Sequence, residues 1–138
     1  MILIAGDSYS QRLDWRPKTD VPYYSWVDEI AKRYPVTCVG KVDACNWDIL
    51  NQINFNYTHA IVNLTTFDRM SPLYMGHGDE WREIYDVERV KRVGVKHAQR
   101  ILKHPRCHFW SPFPHYETWP EVESIFMPHD DDLWDRSL

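Results

Sequence analysis

The sequence predicts an α/β fold: a three-layer α/β/α sandwich whose sheet is mostly parallel and has four to five strands. Three observations predict it. Short apolar runs alternate with amphipathic helical patterns in the order β-α-β-α-β-α-β, which favours a parallel sheet joined by right-handed crossovers. The first run, Met1-Ile2-Leu3-Ile4-Ala5, is apolar at every position, as a strand covered on both faces must be. A length of 138 residues fits one domain, 1–138, with enough chain to bury a core.

The elements follow in order. Gly6-Asp7-Ser8 ends the first strand in a tight turn. Ser25-Trp26-Val27-Asp28 resembles a capping box with Asp in the Glu position, and Trp26, Ile30 and Tyr34 recur every four residues, predicting a helix that stops before Pro35. Val36 to Val39 is β-branched and ends at Gly40, predicting a second strand. Asn46 is placed to cap the next helix, with Ile49, Leu50 and Ile53 as its apolar stripe. His59 to Leu64 reads as the third strand. After a Gly- and Met-rich loop from Ser71 to Asp79, a long helix turns Ile84, Val87, Val90, Gly94, Ala98, Ile101 and Leu102 inward, and Cys107 to Ser111 reads as the fourth strand. From about residue 112 the chain is rich in Pro and acids, with a short helix expected from Pro120 to Phe126.

Composition narrows the function classes. Charged residues make up 26% and hydrophobic ones 43%, so the mean hydropathy of -0.55 reflects many Trp, Tyr and His rather than disorder. Apolar stretches of about five residues fall far short of the ~20 that span a bilayer, and no basic-then-apolar leader precedes the first strand, so neither membrane nor secretion is expected. A net charge of -4 leaves no global polycationic footprint of the kind that binds nucleic acid non-specifically, so a nucleic acid is not the expected partner. The charge is uneven, however. Arg89, Lys91, Arg92, Lys96, Arg100, Lys103 and Arg106 follow one another with no intervening acid, whereas Glu and Asp dominate the end. This is either a solvated helix face or a site for an anionic ligand.

Three cysteines, Cys38, Cys45 and Cys107, form no CxxC and leave one unpaired under any pairing, which argues for a reducing, cytoplasmic setting. His104, Cys107 and His108 lie close in sequence, but on a strand Cys107 and His108 point to opposite faces, so no metal and no cofactor is expected. Aromatic residues reach 14%, with Trp15, Tyr23, Tyr24, Trp26, Trp47, Trp110, Tyr116, Trp119 and Trp134 spread over the loops. The cluster from Phe109 to Tyr116 is hard to bury whole and favours a pocket or an interface there.

Ile2-Leu3-Ile4-Ala5-Gly6-Asp7-Ser8-Tyr9-Ser10 resembles the first motif block of the SGNH (GDSL-type) hydrolases, with Ser8 in the nucleophile position. Val39-Gly40 and the segment from Ala44 to Ile49 look like the second block, and Leu64-Thr65-Thr66-Phe67-Asp68-Arg69 stands where the Gly-x-Asn-Asp block belongs. The resemblance covers roughly the first half of the chain, and small divergent bacteriophage members are the nearest in kind. It implies a flavodoxin-like sheet and an esterase or acyl-hydrolase mechanism. In that mechanism Ser8 attacks a carbonyl, a histidine takes its proton, and donors at Ser8, Gly40 and the third block hold the oxyanion.

The sequence departs from that pattern in three places. Thr65 stands for the Gly and Phe67 for the Asn, leaving Asp68 as the block's acid and Asn46 or Asn63 as substitute donors. His129 and His115 are the candidate bases, yet Phe126 and Pro112 stand three residues before them where the family has Asp; His129 has Asp130, Asp131 and Asp132 beside it. Only nine residues follow His129, too few for the family's final helix. Asp7 belongs either to the catalytic group or to the hydrogen bonding of its own loop. Two functions are therefore expected: a serine ester hydrolase with a degenerate site, acting on a small-molecule ester, or a non-catalytic protein of the same fold. The second would bind a host protein or an anionic small molecule inside a host cell. A phosphate or nucleotide binder has only the fold to support it, since no Gly-rich phosphate loop is present.

Overall fold

The computed structural model describes residues 1–11, 25–53, 56–69 and 86–125. Five parallel strands form one sheet in the order β2-β1-β3-β4-β5: β1 (Ile2–Ala5), β2 (Val36–Cys38), β3 (His59–Asn63), β4 (Cys107–Ser111) and β5 (Val122–Ser124). Among the described residues the helices are α1 (Trp26–Ala31), α2 (Asn46–Gln52) and α3 (Val87–Ile101). Single 3-10 turns follow β1 at Ser8–Ser10 and β4 at Pro114–Tyr116. The α/β class and the parallel sheet are as the sequence predicts.

The alternation of side chains along a strand sorts the sheet into two faces. Leu3, Ala5, Ala60, Val62 and Phe109 join Ile49, Ile53, Ala98 and Ile101 in one core under α2 and α3. On the opposite face the ring of Trp26, from α1, meets Trp110 edge-on with centroids 5.6 Å apart. Central β1 pairs with β2 and β3, and Leu3, Ile4 and Ala5 have no exposed surface, so the opening apolar run is the buried strand it resembles.

Several local expectations are corrected. The first helix buries Val27, while Tyr34 is 56% exposed, because the helix ends at Ala31 and Tyr34 falls in the turn beyond it. Ser25 is the N-cap but makes no capping bond; its hydroxyl donates to Gln11 O at 3.0 Å. Cys45, not Asn46, caps α2, and the Asp48 carboxylate accepts from Cys45 N at 3.0 Å and from its thiol at 3.2 Å. That burial pushes the thiol up to about 11, so it stays protonated. The segment expected as a helix after Pro120 contains a fifth strand instead: Phe109, Trp110 and Ser111 pair with Val122, Glu123 and Ser124. Ile84, the Ser71 to Asp79 loop, Trp15, Tyr23, Tyr24, Phe126, His129 to Asp132 and Trp134 lie outside the described residues.

Candidate functional site

The order β2-β1-β3 reverses direction at β1. In such sheets the crevice beyond the carboxyl ends of β1 and β3 is where ligands settle. Gly6, Asp7 and Ser8 leave β1 at that point. Gly6 has φ +148°, a conformation open to glycine alone, and a Cβ there would collide with the side chains of Asn63 and Ser10. Gln52 clamps the same peptide: its Oε1 accepts from Gly6 N at 2.7 Å and its Nε2 donates to Gly6 O at 3.1 Å.

Asp7 is fully buried. Its Oδ1 accepts from Tyr9 N at 3.0 Å and from Asn63 Nδ2 at 2.9 Å, and Arg69 Nη1 reaches its Oδ2 at 3.4 Å. Burial raises its pKa above the ordinary value, against the opposing pull of Asn63, Thr65 and Arg69. The Thr65 hydroxyl lies close enough to Asp7 to favour its charge, although its geometry meets no hydrogen bond. Asn63 Oδ1 also accepts from Asp7 N at 3.2 Å and from the Ser10 hydroxyl. This network shapes the turn from beneath. It gives Asp7 the loop-holding task and leaves it no surface toward a ligand.

Ser8, by contrast, is half-exposed at the top of the turn. Gly40, after β2, packs so closely on the Ser10 carbonyl that a side chain would collide with it, which brings its backbone beside the Ser8 turn. Neither Ser8 N–H nor Gly40 N–H is used in a hydrogen bond among the described residues.

Behind β3 lies a second buried cluster. Asn46 Nδ2 donates to Tyr116 OH at 3.1 Å, Gly94 O at 3.3 Å and Thr65 O at 3.4 Å, while its Oδ1 accepts from Thr65 N at 3.2 Å. Tyr116 OH donates to Thr65 O at 2.6 Å. Asn46 and Thr65, both expected at the oxyanion or substrate, are buried in this cluster with their main polar groups engaged. Asn63 is likewise committed to Asp7 and Ser10. None of the three presents a side-chain donor to a ligand.

An aromatic wall completes the edge. Phe113 meets Tyr9 edge-on at 6.0 Å and lies parallel to the His115 ring at 5.9 Å; Phe67 packs at 4.5 Å from His115 and 5.7 Å from Trp119. Phe67, which the sequence resemblance sets opposite an Asn, contributes an aromatic ring to this wall. His115 is exposed, and burial of part of its ring lowers its pKa below the ordinary value, while the charge of Asp68 acts to raise it. Asp68, an expected oxyanion or substrate residue, is thus near enough to His115 for its charge to act on the ring. No hydrogen bond joins Ser8 Oγ to a histidine among the described residues.

Elsewhere, Cys38, Cys45 and Cys107 form no disulfide, and His108 pairs with Glu123 at 2.8 Å. Among the described residues no group of three or more His, Cys, Asp or Glu is placed to hold a metal, and no helix is long and apolar enough to cross a membrane. Sequence reasoning missed the clamp of Gln52 on Gly6 and the pairing of Asn63 with Asp7. The one signal was a polar residue inside the apolar run Ile61-Val62-Asn63-Leu64. Comparison of the chain with protein-family models, with curated proteins and with solved structures gives no match.

Proposed function

We propose that the chain is a serine ester hydrolase of the SGNH type, with Ser8 as nucleophile and His115 as base. The observation that supports this reading is that Ser8, Gly40, Asp68 and His115 each follow the carboxyl end of one of four neighbouring parallel strands, β1 to β4, and so fall along one edge of the sheet. In this reading the Ser8 hydroxyl adds to the ester carbonyl as His115 takes its proton. The tetrahedral intermediate then expels the alcohol, which leaves with that proton. Water, deprotonated by the same imidazole, attacks the acyl-enzyme, releasing the acid and returning the proton to Ser8.

The backbone N–H groups of Ser8 and Gly40 supply the oxyanion donors, and Asp68 orients and charges the imidazolium in place of the missing Asp three residues upstream. Loss of the block-three Asn sets the expected rate. One missing side-chain donor costs ~10²–10³ in kcat, so turnover is slow. A bacteriophage origin and action in the host cytoplasm accompany this reading. Hydrolysis of p-nitrophenyl acetate by folded wild type, at least ~10²-fold above Ser8→Ala, supports it. Equal rates for the two proteins overturn it.

Among the described residues no histidine is hydrogen-bonded to Ser8, which favours a second reading, a non-catalytic protein that binds an anionic small molecule at Arg69, whose side chain is 27% exposed. Carboxylate binding by the Ser8→Ala protein that Arg69→Met abolishes supports that reading over the first.

A further inference from the structure

The basic run resolves into a line. Arg89, Arg92, Lys96 and Arg100 lie on α3 and Lys103 in the turn that ends it, at spacings of three, four, four and three residues. At 100° per residue these positions fall within about 80° of the helix circumference, and the first and last are about 21 Å apart. Gly94, Ala98 and Ile101, the buried residues of α3, lie on the far side. All five cations are exposed, and none forms an ion pair among the described residues. The nearby pair, Lys91 with Glu88 at 3.5 Å, falls off the line. His97 on the same helix has its pKa lowered, first by burial and then by Arg100, in keeping with a positive local field.

We propose that this stripe binds the phosphate backbone of a nucleic acid, independently of the site at the sheet edge. The length and the linearity favour that partner. A nucleic-acid backbone carries its phosphates in a row, one per about 3.4 Å of axial rise on each strand, so a line of cations about 21 Å long runs alongside several of them. A compact anion needs converging side chains, and these are spread along a line. An anionic membrane surface needs an apolar helix face to insert, but here that face is buried in the core and Val93 is the one large apolar side chain of α3 exposed. Arginine, three of the five positions, also presents a fork suited to phosphate oxygens. The net charge of -4 confines binding to this stripe and makes it weak, salt-sensitive and indifferent to sequence.

The test is fluorescence polarisation with labelled duplex DNA and single-stranded RNA of about 20 nucleotides, using folded wild-type chain, Arg92→Glu/Lys96→Glu, and a control of equal charge, Lys32→Glu/Arg33→Glu. Expected are a Kd of about 10⁻⁴–10⁻⁶ M and a fall in affinity of roughly 10²–10³ between about 50 mM and 200 mM salt. The stripe variant should bind at least tenfold more weakly than the control. No wild-type binding at low salt overturns the proposal, as does equal weakening of both variants. Binding to phosphatidylserine vesicles or to a polyglutamate peptide, with none to either nucleic acid, overturns it in favour of another partner.

Discussion

Asn63 holds Asp7 from two sides, its Oδ1 accepting from the Asp7 backbone N–H at 3.2 Å and its Nδ2 donating to the Asp7 carboxylate at 2.9 Å. The pair bridges the ends of β1 and β3 at the point where strand order reverses. Replacing Asn63 with Ala orphans the Ser10 hydroxyl and Asp7 N–H in the interior and removes a donor from a buried carboxylate. A loss of about 3 kcal/mol is expected, since each stranded buried group costs ~1–3 kcal/mol. Urea unfolding followed by circular dichroism measures it.

Asp7 makes stability depend on pH. Its folded pKa lies above the ordinary 3.8, so the folded state holds the proton more tightly than the unfolded chain. The contribution is therefore fully present below 3.8 and is lost as pH rises through the folded value. Asp7→Asn, which keeps an acceptor and never ionises, removes that dependence. The urea midpoint of wild type relative to Asp7→Asn should fall as pH rises from 3.8 toward neutrality; a constant difference would show that Asp7 titrates as it does in the unfolded chain.

Tyr116 carries the second network. Its hydroxyl donates to Thr65 O and accepts from Asn46, all inside the protein. Tyr116→Phe keeps the ring contacts with Phe67 and Trp119 but removes the shortest hydrogen bond to Thr65 O, leaving it the longer one from Asn46 at 3.4 Å. A loss of about 0.5–1.5 kcal/mol follows, with little change in the far-ultraviolet spectrum.

How much of this was legible follows from where the signals lie. β1 and β3 announce themselves in local apolar runs, and Ile49 and Ile53 in the period of a helix. β5 does not, because Val122-Glu123-Ser124 is too short to show alternation and sits just after a proline. The buried polar groups were the least legible. Gln52 meets Gly6 across 46 residues, and Asn46 meets Tyr116 across 70, so no local pattern marks either pair. Gly94 is partly legible in hindsight: a glycine inside a helix signals close approach, here to the Phe67 carbonyl. Ser8 was placed by its motif alone, and its partners depend on loops from distant strands.

His115 sets the acid limb of activity in the proposed mechanism. Its pKa lies below the ordinary 6.5, so the imidazole is neutral and able to accept a proton at pH 7. The Asp68 charge acts to raise that value, so Asp68→Asn should move the acid limb of kcat/KM to lower pH while reducing the rate at the plateau. A pH profile with a short-chain ester reads both effects. An unmoved limb would separate Asp68 from the histidine.

Fluorophosphonate labelling with mass spectrometric mapping tests the central claim most directly, because it reports an activated serine whatever the true ester substrate. With all variants confirmed folded by circular dichroism, the account predicts labelling of wild type at Ser8. That labelling should be absent in Ser8→Ala, reduced at least ~10²-fold in His115→Ala and retained in His129→Ala. Folded wild type that takes no label at Ser8, or labels as fast without His115, would contradict it.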